Sequence, residues 1–296
     1  MKPVRSFQQR ATRFALALLL PGCACAQQRS PADSVAQRPA LAKNPTFLFR
    51  TLSLNQDWSR LADGTDSFTT TVGYIEPFLH ARASLGVSLP YTHAQSLDTA
   101  NGLIPFTLHR NSSSSSSSSA SGSQDPASAL ENVTVRAQAI PYLTPQHGVL
   151  LIAALSAPTT SSHLVGTGKW TIAPSVAFAR FPNPRLLVAQ FFQQEVSFAG
   201  SAQRSSINRT NLDAYMVYSS RRLNWWVTSD INLRIDEAKD NHLSTGFTAG
   251  YGRGLRKMFG GSLNGSIQAG AGIGRDRPHD TIVSGGISLV GIQRNH

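Results

Sequence analysis

Between Asn211 and Ile235 apolar and polar positions alternate along the chain. Leu212, Ala214, Met216 and Tyr218 interleave with Asn211, Asp213, Tyr215 and Val217. After Ser219-Ser220-Arg221-Arg222 the period resumes, with Trp225, Val227, Ser229, Ile231, Leu233 and Ile235 on one row and Trp226, Thr228, Asp230, Asn232 and Arg234 on the other. A period of two predicts two antiparallel strands of about ten residues joined by a tight polar turn. A hairpin of that length with aromatic residues near its ends matches the unit of a transmembrane β-barrel. Taken alone, it equally fits a soluble sandwich whose apolar row turns inward.

The unit repeats along the chain. The alternation predicts strands over about 46–57, 68–76, 82–91, 130–142, 149–157, 169–178, 186–198, 211–218, 225–235, 243–251, 263–273 and 281–292. In the first, Leu48, Leu52 and Leu54 share a row while Phe47 and Phe49 occupy the other, so its facing is ambiguous. In the seventh, Gln193-Gln194-Glu195 weakens the alternation, and a bulge there would restore the phase. Asn183-Pro184 is a turn signal.

The connections sort by parity. Those centred on 62, 110, 163, 204, 239 and 277 are mostly long, charged or serine-rich, whereas the alternate ones are tight, with 252–260 as the exception. Short turns at one end and longer loops at the other are expected of an outer-membrane barrel, and a sandwich has no reason to sort its loops so. The expected fold is therefore all-β: one transmembrane antiparallel β-barrel of about twelve strands over 46–292. Its one large interruption, 93–129, holds an eight-serine run from Ser112 to Ser119, a composition unable to build a packed core. It is expected to be an external loop, since lengthening a loop costs closure entropy only slowly. The apolar piece from Leu103 to Leu108 is the part able to fold back over or into the barrel.

Composition changes the picture mainly at the beginning of the chain. Lys2, Arg5, Arg10 and Arg13 precede a short apolar run from Phe14 to Leu20, and Ala24-Cys25-Ala26 offers a small-x-small cleavage site, so residues 1–26 are expected to be a signal peptide. Residues 27–45, rich in Gln, Ala, Pro and Arg without periodicity, are expected to form a disordered periplasmic leader. Both cysteines of the chain, Cys23 and Cys25, lie in the signal segment, which leaves a mature chain without disulfides. Its removal lowers the formal charge from +11 by four cations. No dense basic stripe interleaved with aromatics remains, so no nucleic-acid partner is expected. No apolar run approaches the length of a helical membrane span.

Three stretches carry a family likeness: Ala83-Ser-Leu-Gly-Val-Ser-Leu-Pro-Tyr91, Gly166-Thr-Gly-Lys-Trp170, and the strand end Val196-Ser-Phe-Ala-Gly200. With them the chain, over roughly 46–292, resembles the outer-membrane β-barrel family associated with phenol-degradation gene clusters of the MetA-pathway type. The resemblance implies a transporter, passive uptake of small solutes, aromatic or hydrophobic ones included, and no catalytic residues. The serine-rich insertion departs from the family pattern, as does the final Ile292-Gln-Arg-Asn-His296.

Candidate chemistry is sparse. The mature chain has no cysteine ligands, no HExxH pattern and no cofactor motif; His242, His279 and His296 are expected to be solvated loop or terminal residues. Gly166-Thr-Gly-Lys169 lacks the phosphate-loop spacing and precedes a strand. Ser229 on an outward row would be the nucleophile of a lipid hydrolase, but no histidine on the neighbouring strands is placed to activate it, and no enzyme is expected. What remains is the polar row. Arg82, Arg136, Lys169, Asp213, Asp230, Asn232, Arg234, Asn264 and Gln268 are expected to line the lumen, because an arginine facing lipid at mid-depth costs about 2–4 kcal/mol. Twelve strands tilted near 40° enclose a cylinder of about 24 Å, which side chains can fill or leave open. An uptake channel and a non-conducting structural or adhesive barrel both fit. The partners implied are outer-membrane lipid and lipopolysaccharide of a Gram-negative bacterium, the barrel-assembly machinery and a small-molecule solute.

Overall fold

In the computed structural model the described residues are 48–60, 66–94, 100–103, 110–113, 127–159, 167–220, 222, 224–274, 277 and 279–292. The chain divides into Met1–Pro31 and Ala32–His296, and all described residues belong to the second unit. The expected signal peptide and leader, Phe47 and most of the serine-rich insertion lie outside them.

Among the described residues twelve long strands form a meander: β1 Thr51–Arg60, β2 Asp66–Phe78, β3 Ala83–Ala94, β4 Val133–Leu143, β5 His147–Ala157, β6 Lys169–Asn183, β7 Leu186–Gly200, β8 Asn208–Ser219, β9 Trp225–Asp236, β10 His242–Met258, β11 Gly261–Ile273 and β12 Thr281–Val290. Each pairs antiparallel with the next, and β12 pairs with β1, from Thr51 opposite Val290 to Arg60 opposite Thr281. The sheet is thereby closed into a barrel without free edges, which satisfies every ladder within the wall. A short strand, Ala127–Leu130, extends the β3 edge and is separated from β4 by Glu131 and Asn132. Ala100–Leu103 and Arg110–Ser113 form a separate two-stranded ladder, so the first two serines of the run are hairpin residues.

The barrel is inverted relative to a soluble protein. Leu54, Val72, Leu85, Leu151, Ile172, Phe192, Met216, Ile231, Phe247 and Ile267 are all exposed on the outer face, while Ser53, Thr71, Ser88, Gln138, Ser175, Gln193, Asn211 and Asn264 are buried inside. Period two with the apolar row outward is the sequence cost of an apolar surrounding, and this is the architecture of a transmembrane β-barrel. Aromatic side chains gather at both ends of the outer wall. Tyr218, Trp225 and Tyr251 are in ring contact at one end, at 6.2 and 6.4 Å, and Trp170 meets Phe198 at 6.5 Å at the other. No helix among the described residues is long and apolar enough to cross a membrane, a statement that does not bear on strands.

The turns after β2, β4, β6, β8 and β10 are all tight, and at the other end the connection after β9, expected to be long, is also short: 237–241, with Asp240 and Asn241 at positive φ. Thr144 Oγ1 accepts the His147 amide at 2.9 Å, Asn183 Oδ1 accepts the Arg185 amide at 2.9 Å beside Pro184, and Ser220 Oγ accepts the Asn224 amide at 3.2 Å. Phe259 and Gly260, at φ 52° and 74°, close the turn after β10. Positive φ at both central residues matches the right-handed twist of a hairpin. The exception expected at 252–260 therefore disappears: β10 continues seven residues past Tyr251, and its glycines are wall residues.

Two further expectations are corrected. No bulge occurs at Gln193-Gln194-Glu195. Alternation runs straight through, with Gln193 and Glu195 inside, and Gln194 half-buried on the outside, held by Thr210 Oγ1 at 2.6 Å and Asn208 Oδ1 at 2.8 Å. The β6–β7 register instead shifts between Ser197 and Ala199 and near the turn. In the first strand Leu52 and Leu54 face outward, whereas Leu48 and Phe49 precede the strand and are both buried.

Candidate functional site

The barrel interior contains three regions, each fixed by strand register. At the short-turn end it is apolar: Ile140, Leu150, Ala179, Leu187, Tyr215, Val217 and Trp226 pack together, and Leu48 reaches the same cluster from the segment before β1. These residues stand on the inward rows of β4 to β9 near their turns, so the cluster narrows this end of the bore.

Above it, on β7, β8 and β9, the inward residues form polar rungs. Glu195 lies opposite Arg209 and Arg209 opposite Asp236; Gln193 faces Asn211 and Asn211 faces Arg234; Asp213 faces Asn232 and Tyr215 faces Asp230. Arg209 Nε donates to Asp236 Oδ2 at 3.3 Å, with Nη1 3.9 Å from Glu195 Oε2. Asn211 Nδ2 donates to Gln193 Oε1 at 3.2 Å, and Gln193 Nε2 donates to Ser175 Oγ at 3.1 Å. Asn232 Nδ2 donates to Asp213. On the opposite wall Thr69 and Thr92 hydroxyls meet at 2.7 Å, and Thr92 donates to Glu131. Pairs formed this way between residues directly opposite in the register tie neighbouring strands of the wall together.

The third region is the inner face of β10, β11 and β12. Its inward rows read Ser244, Gly246, Thr248, Gly250, Gly252 and Gly254, then Asn264, Ser266, Gln268, Gly270 and Gly272, then Ser284, Gly286 and Ser288. Most of these are half-buried, whereas the inward residues of β5 to β8 are almost all buried. Solvent therefore reaches the interior along the small-residue wall, opposite the bulky one. Gln268 Nε2 donates to Thr248 Oγ1 at 3.5 Å across that face.

Of the nine residues expected inside, Arg136, Asp213, Arg234 and Asn264 are buried in the interior, and Lys169, Asp230, Asn232 and Gln268 are half-buried there. Arg82 is not among them. It ends the turn before β3, after Leu79, His80 and Ala81 at positive φ, and is exposed; its carbonyl accepts the Ile140 amide at 2.8 Å. It keeps the parity of Ser84 and Ser88 but lies at the end of the wall, before β3 begins at Ala83. Asp213 accepts from Asn232, directly opposite in the register.

Sequence reasoning missed Glu195, Arg209, Asp236, Asp57 and Glu131, all buried. For Arg209 and Asp236 the signal was parity, since they share rows with Asp213 and Arg234 once strand ends are extended; Glu195 and Asp57 lie on strands for which no inward residue was recognised. Glu131 lies in a break between strands and carried no such signal. His279, expected in solvent, is buried at the base of its loop, and His242 is exposed. Ser229 is half-buried on the outer wall between Met216 and Ala249 in the register. No group of three or more His, Cys, Asp or Glu among the described residues could hold a metal ion.

No family model matches the chain, and no curated protein does. Among solved structures the fold is similar to an outer-membrane channel of Pseudomonas putida F1, with TM-score 0.59 and 11% identity over 82% of this chain and 96% of that one. It is also similar to the NanC porin, with TM-score 0.52 and 10% identity over 82% of this chain and 100% of that one. The fold is thus that of twelve-stranded outer-membrane barrels with porin-like architecture.

Proposed function

We propose that the protein is an outer-membrane channel of a Gram-negative bacterium, for passive uptake of small solutes. The observation that carries this reading is the wet, small-residue face of β10 to β12 inside an otherwise filled barrel. Ser244, Thr248, Ser266, Gln268, Ser284 and Ser288 keep partial exposure on that face, and Gly246 leaves open space there, with nothing nearer than 3.9 Å to a Cβ built on it. In this reading Asp230, Asn232, Gln268 and Lys169 border the solute path, and Arg136, Asp213, Arg234 and Asn264, all buried, shape it from the wall. Residues 1–26 act as the export signal, 27–45 as a periplasmic leader, and 93–129 as an external loop. Outer-membrane lipid, lipopolysaccharide and the barrel-assembly machinery are the partners such a barrel requires. The resemblance to the MetA-pathway family supports aromatic or hydrophobic molecules among the solutes.

A second reading, a non-conducting structural barrel, draws support from the apolar cluster around Trp226 and Leu48 at the short-turn end. Current through the refolded full-length protein in a planar bilayer separates the two. Stepwise insertion of conductance supports the channel. A folded protein that inserts without conductance favours the closed barrel.

A further inference from the structure

Arginines inside the barrel are not equivalent. Arg209 is held between Asp236 and Glu195, and Arg234 stands one rung from that group on the same wall. Arg136, on β4, is 4% exposed, and its Nε and Nη2 are buried without any hydrogen-bond acceptor. The residues opposite it are Gly86 on β3 and Ala154 on β5, neither of which offers a side-chain acceptor. Its neighbours on the same row are occupied with each other's strands: Thr134 Oγ1 meets Ser156 Oγ at 2.9 Å, and Gln138 Oε1 accepts Ser84 Oγ at 2.9 Å.

The inward carboxylates are placed elsewhere. Glu195 and Asp236 flank Arg209, Asp213 takes Asn232, Glu131 takes Thr92, Asp230 lies opposite Tyr215 and Thr248, and Asp57 lies opposite Thr69 and Ser284. A buried guanidinium has five donors in a planar fork and is costly to hold unless an anion or polar partner completes it. Its fork geometry matches a carboxylate, which it binds through two parallel hydrogen bonds.

We propose that Arg136 is an anion-binding site of the barrel interior, and that the solutes include small organic carboxylates. The inference rests on the channel reading for the route by which the carboxylate arrives. The carboxylate oxygens accept from Nε and Nη2, the two donors left without an acceptor. Asp213 and Asp230 stand on a different wall and repel the same group, so the anion is directed to one side of the bore.

The test uses refolded full-length protein in a planar bilayer, with sodium benzoate added to potassium chloride, and benzylammonium as a cation of the same shape. Benzoate is expected to interrupt the current in a concentration-dependent manner while benzylammonium does not. Arg136→Gln should raise the half-blocking concentration by about tenfold or more, the effect of losing one charge-assisted pair. Arg136→Lys, which keeps the charge and loses the fork, should raise it less. Heat-modifiable migration establishes that each variant folds; if the glutamine variant does not, the lysine variant decides. Block of equal strength in wild type and variants, or no block in a conducting wild type, overturns the site and leaves the channel standing. A folded wild type without conductance overturns the channel; calorimetric benzoate binding that Arg136→Lys weakens would then uphold the site alone, and its absence would overturn both.

Discussion

Trp226 on β9 lies directly opposite Gly252 on β10, and its indole covers the position where a Cβ would stand on that glycine. The tryptophan is 1% exposed and belongs to the apolar cluster at the short-turn end. A small residue on one strand thus makes room for the largest side chain on the next. This relationship explains why β10 carries glycine where a loop would otherwise be read.

Gly252→Ala should therefore destabilise the barrel by about 1–3 kcal/mol, the usual cost of overpacking an interior. Urea unfolding of the refolded protein in detergent, followed by tryptophan fluorescence, measures it. Gly285→Ala is the control, since nothing lies within 4 Å of a Cβ built there. Equal losses at both positions would show that general strand propensity, not the indole, sets the cost.

Arg209 should matter for folding. It stands between Glu195 and Asp236, and all three are buried. Arg209→Ala leaves two carboxylates in a restricted interior, a loss of about 3 kcal/mol by the usual measure of breaking a buried pair. Adding Glu195→Gln and Asp236→Asn to it should recover much of the loss, because the remaining groups are then neutral. Thermal unfolding read as the shift between heat-modifiable bands distinguishes the single from the triple variant.

These two cases also show what the sequence makes legible. Strand number, inward and outward rows and loop parity follow from a period of two, which survives in residues as ordinary as Leu212 and Asp213. The rungs do not follow, because opposition between Glu195, Arg209 and Asp236 depends on the relative register of three strands, and register is invisible to alternation. Arg82 is exposed for a related reason: parity does not show where a strand begins, and β3 begins one residue later, at Ala83. Gly252 and Gly254 were read as loop because glycine weakens a strand signal, while inside a barrel a missing side chain is itself the requirement.

Deleting Ser112 to Ser119 should leave the barrel intact. The deletion removes Ser112 and Ser113 from the ladder with Ala100 and Asn101, and touches none of the pairings among β1 to β12. The expected result is an unchanged heat-modifiable band and an unchanged unfolding midpoint. A lost or shifted folded band would mean that the insertion contributes to the wall.

Asp230 should set ion preference. It keeps partial exposure on the inward row of β9, as does Lys169 at the start of β6, while Asp57, Glu195, Arg136, Arg209, Arg234 and Asp236 are buried. It faces Thr248 on the small-residue wall, so an ion moving along β10 to β12 passes it closely. A carboxylate at that position raises local cation concentration. Asp230→Asn keeps size and hydrogen bonding and removes the charge, and should move the reversal potential in a potassium chloride gradient toward anion preference. Lys169→Gln should move it the other way, by less, since a charge at the mouth is better screened than one inside. Raising the salt should shrink the second shift before the first. If both variants conduct with wild-type reversal potentials, the ions take a route that avoids the β9–β10 wall, and the half-buried glycines of β10 to β12 do not border the path.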